Sequence, residues 1–226
     1  MCGRFNVAST PGLQELLGAL GADLQLLEPR FNVAPTEPVA LLRDGSLVEA
    51  RWWLTPHWAK QVEQKYAMFN ARCEGLGKST AFRRPFARQR GVVPMSGFIE
   101  WQGAAGNRQP WHISNASQAI AVAALWDLWR GADEILLSCT LVTTEAAPEL
   151  RPWHNRMPVM LVPGECPRWL DNTKAVHDED PLFAPVLKEA LYLAPVDRAV
   201  GNSRNKEPAL MASTGETVLI GPASSA

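Results

Sequence analysis

The order of the strand-like segments limits the fold of this chain more than any other feature. Short apolar runs bounded by turn residues follow one another with only occasional helical segments, so strict strand–helix–strand alternation is absent. This order predicts an α+β fold with a mixed or mostly antiparallel sheet. Strands are predicted at 39–43, 47–54, 92–101, 109–113, 119–126, 135–143, 157–162 and, more weakly, 192–196.

Two local signals indicate the first elements. Asp44-Gly45-Ser46 separates two strand segments and is typical of a hairpin turn. Thr10 and Pro11 predict the N-cap and the first residue of a short amphipathic helix that Gly21 terminates.

The length and composition predict one domain. The 226 residues are 46% hydrophobic, which is enough for one substantial core. We expect this domain to span residues 1–215, with 216–226 forming a loosely ordered tail. Polar residues interrupt the first ten positions, and no apolar run is long enough for a membrane span, so a cytoplasmic protein with no membrane partner is expected. No glycine-rich phosphate-binding motif is present, so no nucleotide cofactor is expected.

Three of the four cysteines are predicted to be buried thiols. Cys73, Cys139 and Cys166 are widely spaced, with no Cys-x-x-Cys pair and no histidine at zinc-binding spacing. The sequence therefore predicts neither a metal site nor any other cofactor.

Cys2 differs because it follows the initiator methionine. Removal of Met1 would leave an α-amine and a thiol on adjacent carbons, and such a 1,2-aminothiol condenses with an aldehyde to form a thiazolidine ring. The amine and the thiol have reference pKa values of about 7.7–8.0 and 8.5, so both supply a nucleophilic fraction at neutral pH. An internal cysteine cannot do this, because its nitrogen belongs to an amide.

Four other residues are candidates for chemistry or binding. Glu100 lies between two apolar residues, which suits a general acid or base, although strand alternation can also direct it to solvent. His154 can exchange a proton near neutral pH or fill a structural role. Asn70 and Arg72 fit a loop amide and an anion-binding guanidinium, or a helix cap and a surface charge.

The segment 83–90 holds four arginines and no acid. A basic run with an aromatic residue inside it fits a phosphate-binding surface, but taken alone the run favours a solvated basic loop.

Seven short motifs, in this order along the chain, resemble those of the SRAP family (SOS response-associated peptidase domain). They are MCGRF (1–5), RFNVAPT (30–36), WWLTPHWAK (52–60), NAR (70–72), SGFIEW (96–101), HNRMP (154–158) and VDRAVGNSRN (196–205). The resemblance implies a β-rich, barrel-like α+β core with flanking helices and a positively charged groove that leads to the N-terminus.

The resemblance also implies a function, a partner and a compartment. SRAP proteins form a covalent crosslink with abasic sites in single-stranded DNA, and they are thought to remove their own initiator methionine. For this chain it implies that Cys2 attacks the ring-opened abasic aldehyde. Asn70 is implied to hold the N-terminal amine, Glu100 to act in acid–base steps, and His154 to position and protonate the sugar oxygen. The protein is then expected to be a monomer that associates with the nucleoid when bound to DNA.

Further residues are implied to contact the DNA. The candidates for phosphate binding are arginines within the motifs, two residues are candidates for apolar contact with bases beside the lesion, and a threonine is expected to line the same pocket. They are Arg4, Arg72 and Arg156, then Pro35 and Trp58, and Thr143.

Two other functions stay open. A thiol peptidase that acts on other proteins would use Cys2 as its nucleophile and His154 as its base. A single-strand binding module with an incidental cysteine would bind reversibly, whatever the lesion.

Overall fold

The structure is a computed structural model that describes residues 2–22, 28–104 and 106–222. Within these residues the chain forms short strands and three short α-helices. The helices are α1 (Pro11–Ala19), α2 (Arg83–Arg88) and α3 (Cys166–Leu170). The strands are β1 (Phe5–Val7), β2 (Arg30–Val33), β3 (Pro38–Arg43), β4 (Ser46–Trp52), β5 (Asn70–Arg72), β6 (Arg90–Met95), β7 (Gly97–Gln102), β8 (Gln109–Asn115), β9 (Ile120–Arg130), β10 (Ile135–Glu145), β11 (Arg156–Pro158), β12 (Met160–Leu161), β13 (Leu191–Pro195) and β14 (Val218–Ile220).

Five of the strands close into a barrel-like sheet. The order β10-β4-β3-β6-β9 returns to β10, because β9 and β10 also pair with each other. Strands β4 and β10 are parallel, whereas the other pairs in the ring are antiparallel. Strands β5 and β11 pair with β10, and β12 pairs with β9.

The second sheet is antiparallel and contains the N-terminal strand. Its order is β14-β13-β8-β7-β1-β2. The ring of Phe5 in β1 lies 5.0 Å from that of Trp52 in β4, so the two sheets share one core. This mostly β arrangement in a single domain confirms the predicted α+β class, its mixed barrel-like sheet and its few helices.

The predicted strand at 92–101 is two strands in two different sheets. The chain leaves the barrel at Met95 and enters the second sheet at Gly97. Ser96 stabilises this crossing, since its hydroxyl donates to the Asn6 carbonyl and accepts the Ala8 N–H, both at 3.0 Å. Gly97 leaves room for the neighbouring strand, because a Cβ at this position would lie only 2.3 Å from the His112 ring. The prediction of one continuous strand was wrong because an apolar run does not show which sheet each half joins.

The local signals near the N-terminus are confirmed. The Thr10 hydroxyl accepts the Leu13 N–H, Pro11 begins α1, and Gly21 follows the helix with a φ of 70°. Asp44 and Gly45 have φ values of 49° and 76°, as a tight turn between β3 and β4 requires.

The C-terminal segment adds a strand to the second sheet. Strand β14 lies in the region predicted as a tail and pairs with β13. Residues 223–226 lie outside the described residues, and the domain boundary at 215 stays a prediction.

The basic segment 83–90 is not a uniform surface patch. Arg90 is fully buried, and its guanidinium donates to backbone carbonyls that include those of Phe86 and Trp169. Arg84 forms an ion pair with the buried Asp127 at 3.2 Å. Only Arg83 and Arg88 of the four arginines stay available for an anion.

Asn32 connects the N-terminal sheet to the C-terminal segment. It is fully buried, with a φ of 50°, and its backbone N–H donates to the Asn6 side chain at 2.8 Å. Its side-chain amide donates to the carbonyls of Val200, Asn202 and Asn205, each at 3.0 Å. The motifs around residues 32 and 202 therefore have a structural role.

We expect Asn32→Ala to destabilise the protein by about 3 kcal/mol, because three carbonyls lose their donor and alanine is strained at this φ. For a chain of this size, that loss lowers the melting temperature by about 6–12 °C. Thermal unfolding by circular dichroism measures it. Gln118→Ala is the matched control, since Gln118 has a φ of 49° but an exposed side chain. Equal melting temperatures for the two variants would contradict the bridging role.

Candidate active site at the amino-terminal cysteine

Pairing of β1 with β7 brings Cys2 beside Glu100. Phe5 lies opposite Phe98, and the ladder continues as the Ile99 N–H donates to the Arg4 carbonyl at 2.9 Å. Cys2 is fully buried. The start of the chain is therefore an extension of an interior strand, which is unusual for a terminus.

Asn70 contacts Cys2 directly. It begins β5, which is held in place by parallel pairing with β10, and it is buried. Its side-chain amide donates a hydrogen bond of 2.8 Å to the Cys2 carbonyl. Its carbonyl oxygen Oδ1 is also buried and has no hydrogen-bond partner among the described residues. It can therefore accept a hydrogen bond from a donor near Cys2.

Glu100 is a buried carboxyl group in β7. Only 2% of its surface is exposed, so the alternative that strand alternation directs it to solvent is wrong. Burial raises the pKa of this carboxyl from an ordinary 4.5 to about 7. At neutral pH both protonation states are populated, as a group that accepts and returns protons requires.

His154 lies next to this carboxyl group. Its Nε2 is 3.7 Å from Oε2 of Glu100, and burial lowers the pKa of the imidazole. Nδ1 lies 3.0 Å from both the backbone N–H and the backbone carbonyl of Arg156. Because one group donates and the other accepts, Nδ1 has a partner in either protonation state, and Nε2 faces Glu100 in both.

The Cys2 thiol is protonated in this resting state. Burial, and then the negative charge of Glu100, raise its pKa far above the ordinary range. Its Sγ lies 3.7 Å from the Arg4 carbonyl, as a thiol donor. The sulfur therefore reacts only when a base takes its proton in the reacting complex.

Three of the predicted DNA contacts lie around this pocket. The Arg156 guanidinium donates to the Thr143 carbonyl at 2.7 Å and forms a two-pronged ion pair with Glu74, at 2.5 and 3.0 Å. Arg4, next to Cys2 in sequence, lies over the Trp101 ring at 5.9 Å and donates to the Gly201 carbonyl.

The other three predicted contacts lie on β5 and on two loops. Arg72 is exposed at the end of β5, opposite Thr143 of β10. Trp58 is 56% exposed on the loop after β4. Pro35 is half-buried in the turn after β2. No hydrogen bond or ring contact of the described residues joins Trp58 or Pro35 to the pocket.

Sequence reasoning missed two residues of this region. Glu74 holds Arg156, and Trp101 covers Arg4. Glu74 follows Arg72 of the NAR motif by two positions, and an acid so close to a motif arginine is a signal for an ion pair. Trp101 ends the SGFIEW motif, whose strand partner was not readable from the sequence.

The described residues contain neither a cluster of metal ligands nor a membrane-spanning helix. No group of three or more His, Cys, Asp or Glu side chains in the ranges 2–22, 28–104 and 106–222 can hold a metal ion. None of the helices in those ranges has the length and apolar character needed to cross a membrane.

The fold and this pocket define a class: a small barrel-like protein with a buried cysteine at the second position, beside a buried carboxyl–imidazole pair. The chain belongs to the SRAP family, since the family model described as SOS response associated peptidase matches residues 1–203.

Known proteins are similar to this chain in sequence, and a solved structure is similar to it in fold. The abasic site processing protein YoaM of Bacillus subtilis is 31% identical over 93% of this chain and 97% of its own. The abasic site processing protein HMCES of Xenopus tropicalis is 30% identical over 90% of this chain and 72% of its own. A crystal structure of a protein from Bacteroides thetaiotaomicron has the same fold, with a TM-score of 0.81 and 20% identity over 94% of this chain and all of its own.

Proposed function

We propose that this protein captures abasic sites in single-stranded DNA through a thiazolidine crosslink at Cys2. The observation that carries the proposal is the burial of Cys2 against Asn70, beside the paired Glu100 and His154. Relatives at about 30% identity are named abasic site processing proteins, which supports the same target for this chain.

The first step forms an imine. The free α-amine of Cys2 attacks the C1′ aldehyde of the ring-opened sugar, and the resulting carbinolamine loses its hydroxyl as water. Glu100 in its ionised form accepts a proton from the attacking amine, and in its acid form returns it to the departing hydroxyl. A pKa of about 7 suits both transfers.

The second step closes the ring. The Cys2 sulfur adds to the imine carbon, the thiol proton passes to the ring nitrogen, and a five-membered thiazolidine results. The balance over both steps is amine, thiol and aldehyde giving thiazolidine and one water. Asn70 holds the Cys2 backbone in place, and its Oδ1 accepts from the attacking nitrogen.

His154 acts on the sugar. An abasic deoxyribose is mostly a closed ring, so ring opening precedes capture and requires a proton on the ring oxygen. In this proposal Nε2 of His154 donates this proton to the ring oxygen. Glu100, whose Oε2 lies 3.7 Å from Nε2, can then supply a new proton to the imidazole.

The chemistry requires that Met1 is removed, because only a free α-amine condenses with an aldehyde. The description of the family as a peptidase supports removal by the protein itself. Glu100 is the base that we propose for activating the hydrolytic water.

The alternative, a thiol peptidase for other proteins, has less support. A thiol peptidase needs only the thiol of Cys2, so this alternative gives no role to the α-amine of Cys2. The raised pKa of its thiol is opposite to that of an activated protease cysteine.

A denaturing gel tests the proposal. Wild-type protein is incubated with labelled oligonucleotides: abasic single-stranded, abasic duplex and undamaged single-stranded. We expect a heat-stable shifted band with the first only, because a duplex does not let the sugar reach a buried cysteine. The intact mass of the product should equal DNA plus protein without Met1, minus one water. A band of equal intensity with undamaged DNA, or a crosslinked protein that keeps Met1, would refute the mechanism.

A further inference from the structure

An open groove lies beside the barrel, between residues 77–88 and 172–179. Its volume is about 600 Å³. One side of the groove begins at Gly77, shortly after β5, the strand that carries Asn70 and Arg72. Arg83 and Arg88, the two arginines of the basic segment that form no ion pair and are not buried, also line it. The proposed chemistry at Cys2 assigns no role to it.

The charges of this groove are unbalanced. Four cationic side chains and two carboxylates give its lining a net charge of +2, whereas the whole chain carries −1. They are Lys78, Arg83, Arg88 and Lys174, with Asp178 and Glu179.

Three of the cations differ from Lys174 in having no ion-pair partner in the part of the chain that the structure describes. Lys78, Arg83 and Arg88 are exposed and form no ion pair or side-chain hydrogen bond within the described ranges. Lys174 pairs with Asp171 at 3.3 Å, and one oxygen of Asp178 accepts the Gly77 N–H at 3.0 Å. With Asp171 counted, the net charge around the groove is +1, and the positive charge that no ion pair holds belongs to Lys78, Arg83 and Arg88.

We propose that this groove binds the phosphodiester backbone of single-stranded DNA on one side of the lesion pocket. The inference rests on the proposed function, which already brings a single strand to the neighbouring β5. Phosphates carry one charge per nucleotide, and unpaired lysines and arginines in a groove hold such a backbone without reading its sequence.

The test uses undamaged, fluorescently labelled single-stranded DNA, so that no crosslink contributes. The variant Lys78→Gln/Arg83→Gln/Arg88→Gln removes the three unpaired charges. We expect its affinity at about 0.1 M salt to fall on the order of tenfold, and the slope of log affinity against log salt to decrease by about 2, since each lost single-strand phosphate contact removes about 0.7. Fluorescence anisotropy titrations at several salt concentrations measure both.

Two further variants control for net charge and for folding. Gln14→Glu changes an exposed position on α1 and lowers the net charge by one, as Arg88→Gln does. We expect Arg88→Gln to weaken binding about twofold to fivefold and Gln14→Glu to leave it unchanged. Because each is a single exposed substitution, this pair keeps the test valid if the triple variant does not fold.

The outcomes separate this inference from the proposed function. If the triple variant keeps the wild-type affinity and salt slope, the groove does not bind single-stranded DNA. An acidic protein segment then becomes the alternative occupant. With saturating protein, we expect the triple variant to crosslink abasic DNA to the wild-type extent. If the wild-type protein forms no crosslink but the variants show the expected difference in anisotropy, the chemistry proposed at Cys2 is wrong and DNA binding by the groove is supported.

Discussion

Substitution of serine for Cys2 is expected to remove the heat-stable crosslink to abasic single-stranded DNA, with a loss of at least ~100-fold in product. Serine keeps the α-amine, so the imine still forms, but a hydroxyl is a far weaker nucleophile than a thiol and ring closure fails. Denaturing gels measure the crosslink. Reduction of the mixture with borohydride should restore a covalent product in the variant, because it traps the imine.

The borohydride step distinguishes a variant that lacks only the sulfur nucleophile from one in which the amine does not react either. If the variant forms no product even after reduction, the amine and not the sulfur is the missing group, and the order of steps proposed above is wrong. Cys166→Ser is the matched control, since Cys166 is also fully buried but lies in α3. It should crosslink as wild type does, and both variants should bind undamaged DNA with wild-type affinity.

The second large effect is expected from Glu100→Gln, which keeps the shape of the side chain and removes its proton transfer. We expect the crosslinking rate at pH 7.5 to fall by about 10²–10⁴-fold. In wild type the rate should rise with pH through about 7, as the carboxyl group ionises and becomes a base. In the variant this inflection should disappear and leave only the ionisation of the α-amine, near 7.7–8.0.

Single-turnover rates between pH 5.5 and 9 measure this difference. Glu15→Gln, an exposed position on α1, should keep the wild-type profile. A variant Glu100→Gln that retained the inflection near pH 7 would show that another group titrates there, and His154 would be the next candidate.

The same carboxyl group should affect stability in the opposite direction to activity. Its pKa is raised in the folded state, so the folded protein binds more protons than the unfolded chain between about pH 4.5 and 7. The stability of wild type therefore falls as the pH rises through this window. Above pH 7 we expect Glu100→Gln to melt at a higher temperature than wild type, which separates lost catalysis from lost folding.

Several parts of the fold could be predicted because their causes are local. The turn at Asp44-Gly45 needs positive φ angles, which these residues tolerate, and the Thr10–Pro11 pair supplies the cap and the first turn of α1. The predicted strand at 92–101 failed because its local pattern is continuous. The break at Ser96 depends on Asn6 and Ala8, about ninety residues earlier in the chain.

The candidate site, like the fold, could be predicted from the sequence only in part. The motifs of the family were readable from the sequence and indicated Cys2, Asn70, Glu100 and His154. The burial of Glu100, on which its raised pKa depends, was not readable, because alternation in a strand assigns two faces without saying which one is covered. Likewise, four arginines in segment 83–90 looked equivalent, yet one of them is fully buried on backbone carbonyls and another is paired with Asp127.

The amino-acid sequence by itself determined the class of fold, the local turns and caps, and the presence of a cysteine directly after Met1, since each of these follows from neighbouring residues. Only the tertiary structure decided that this start lies inside the protein, on Asn70 and beside a protonatable Glu100. The reason is that burial and electrostatic coupling arise from strands distant in sequence, whose pairing in space no local pattern encodes.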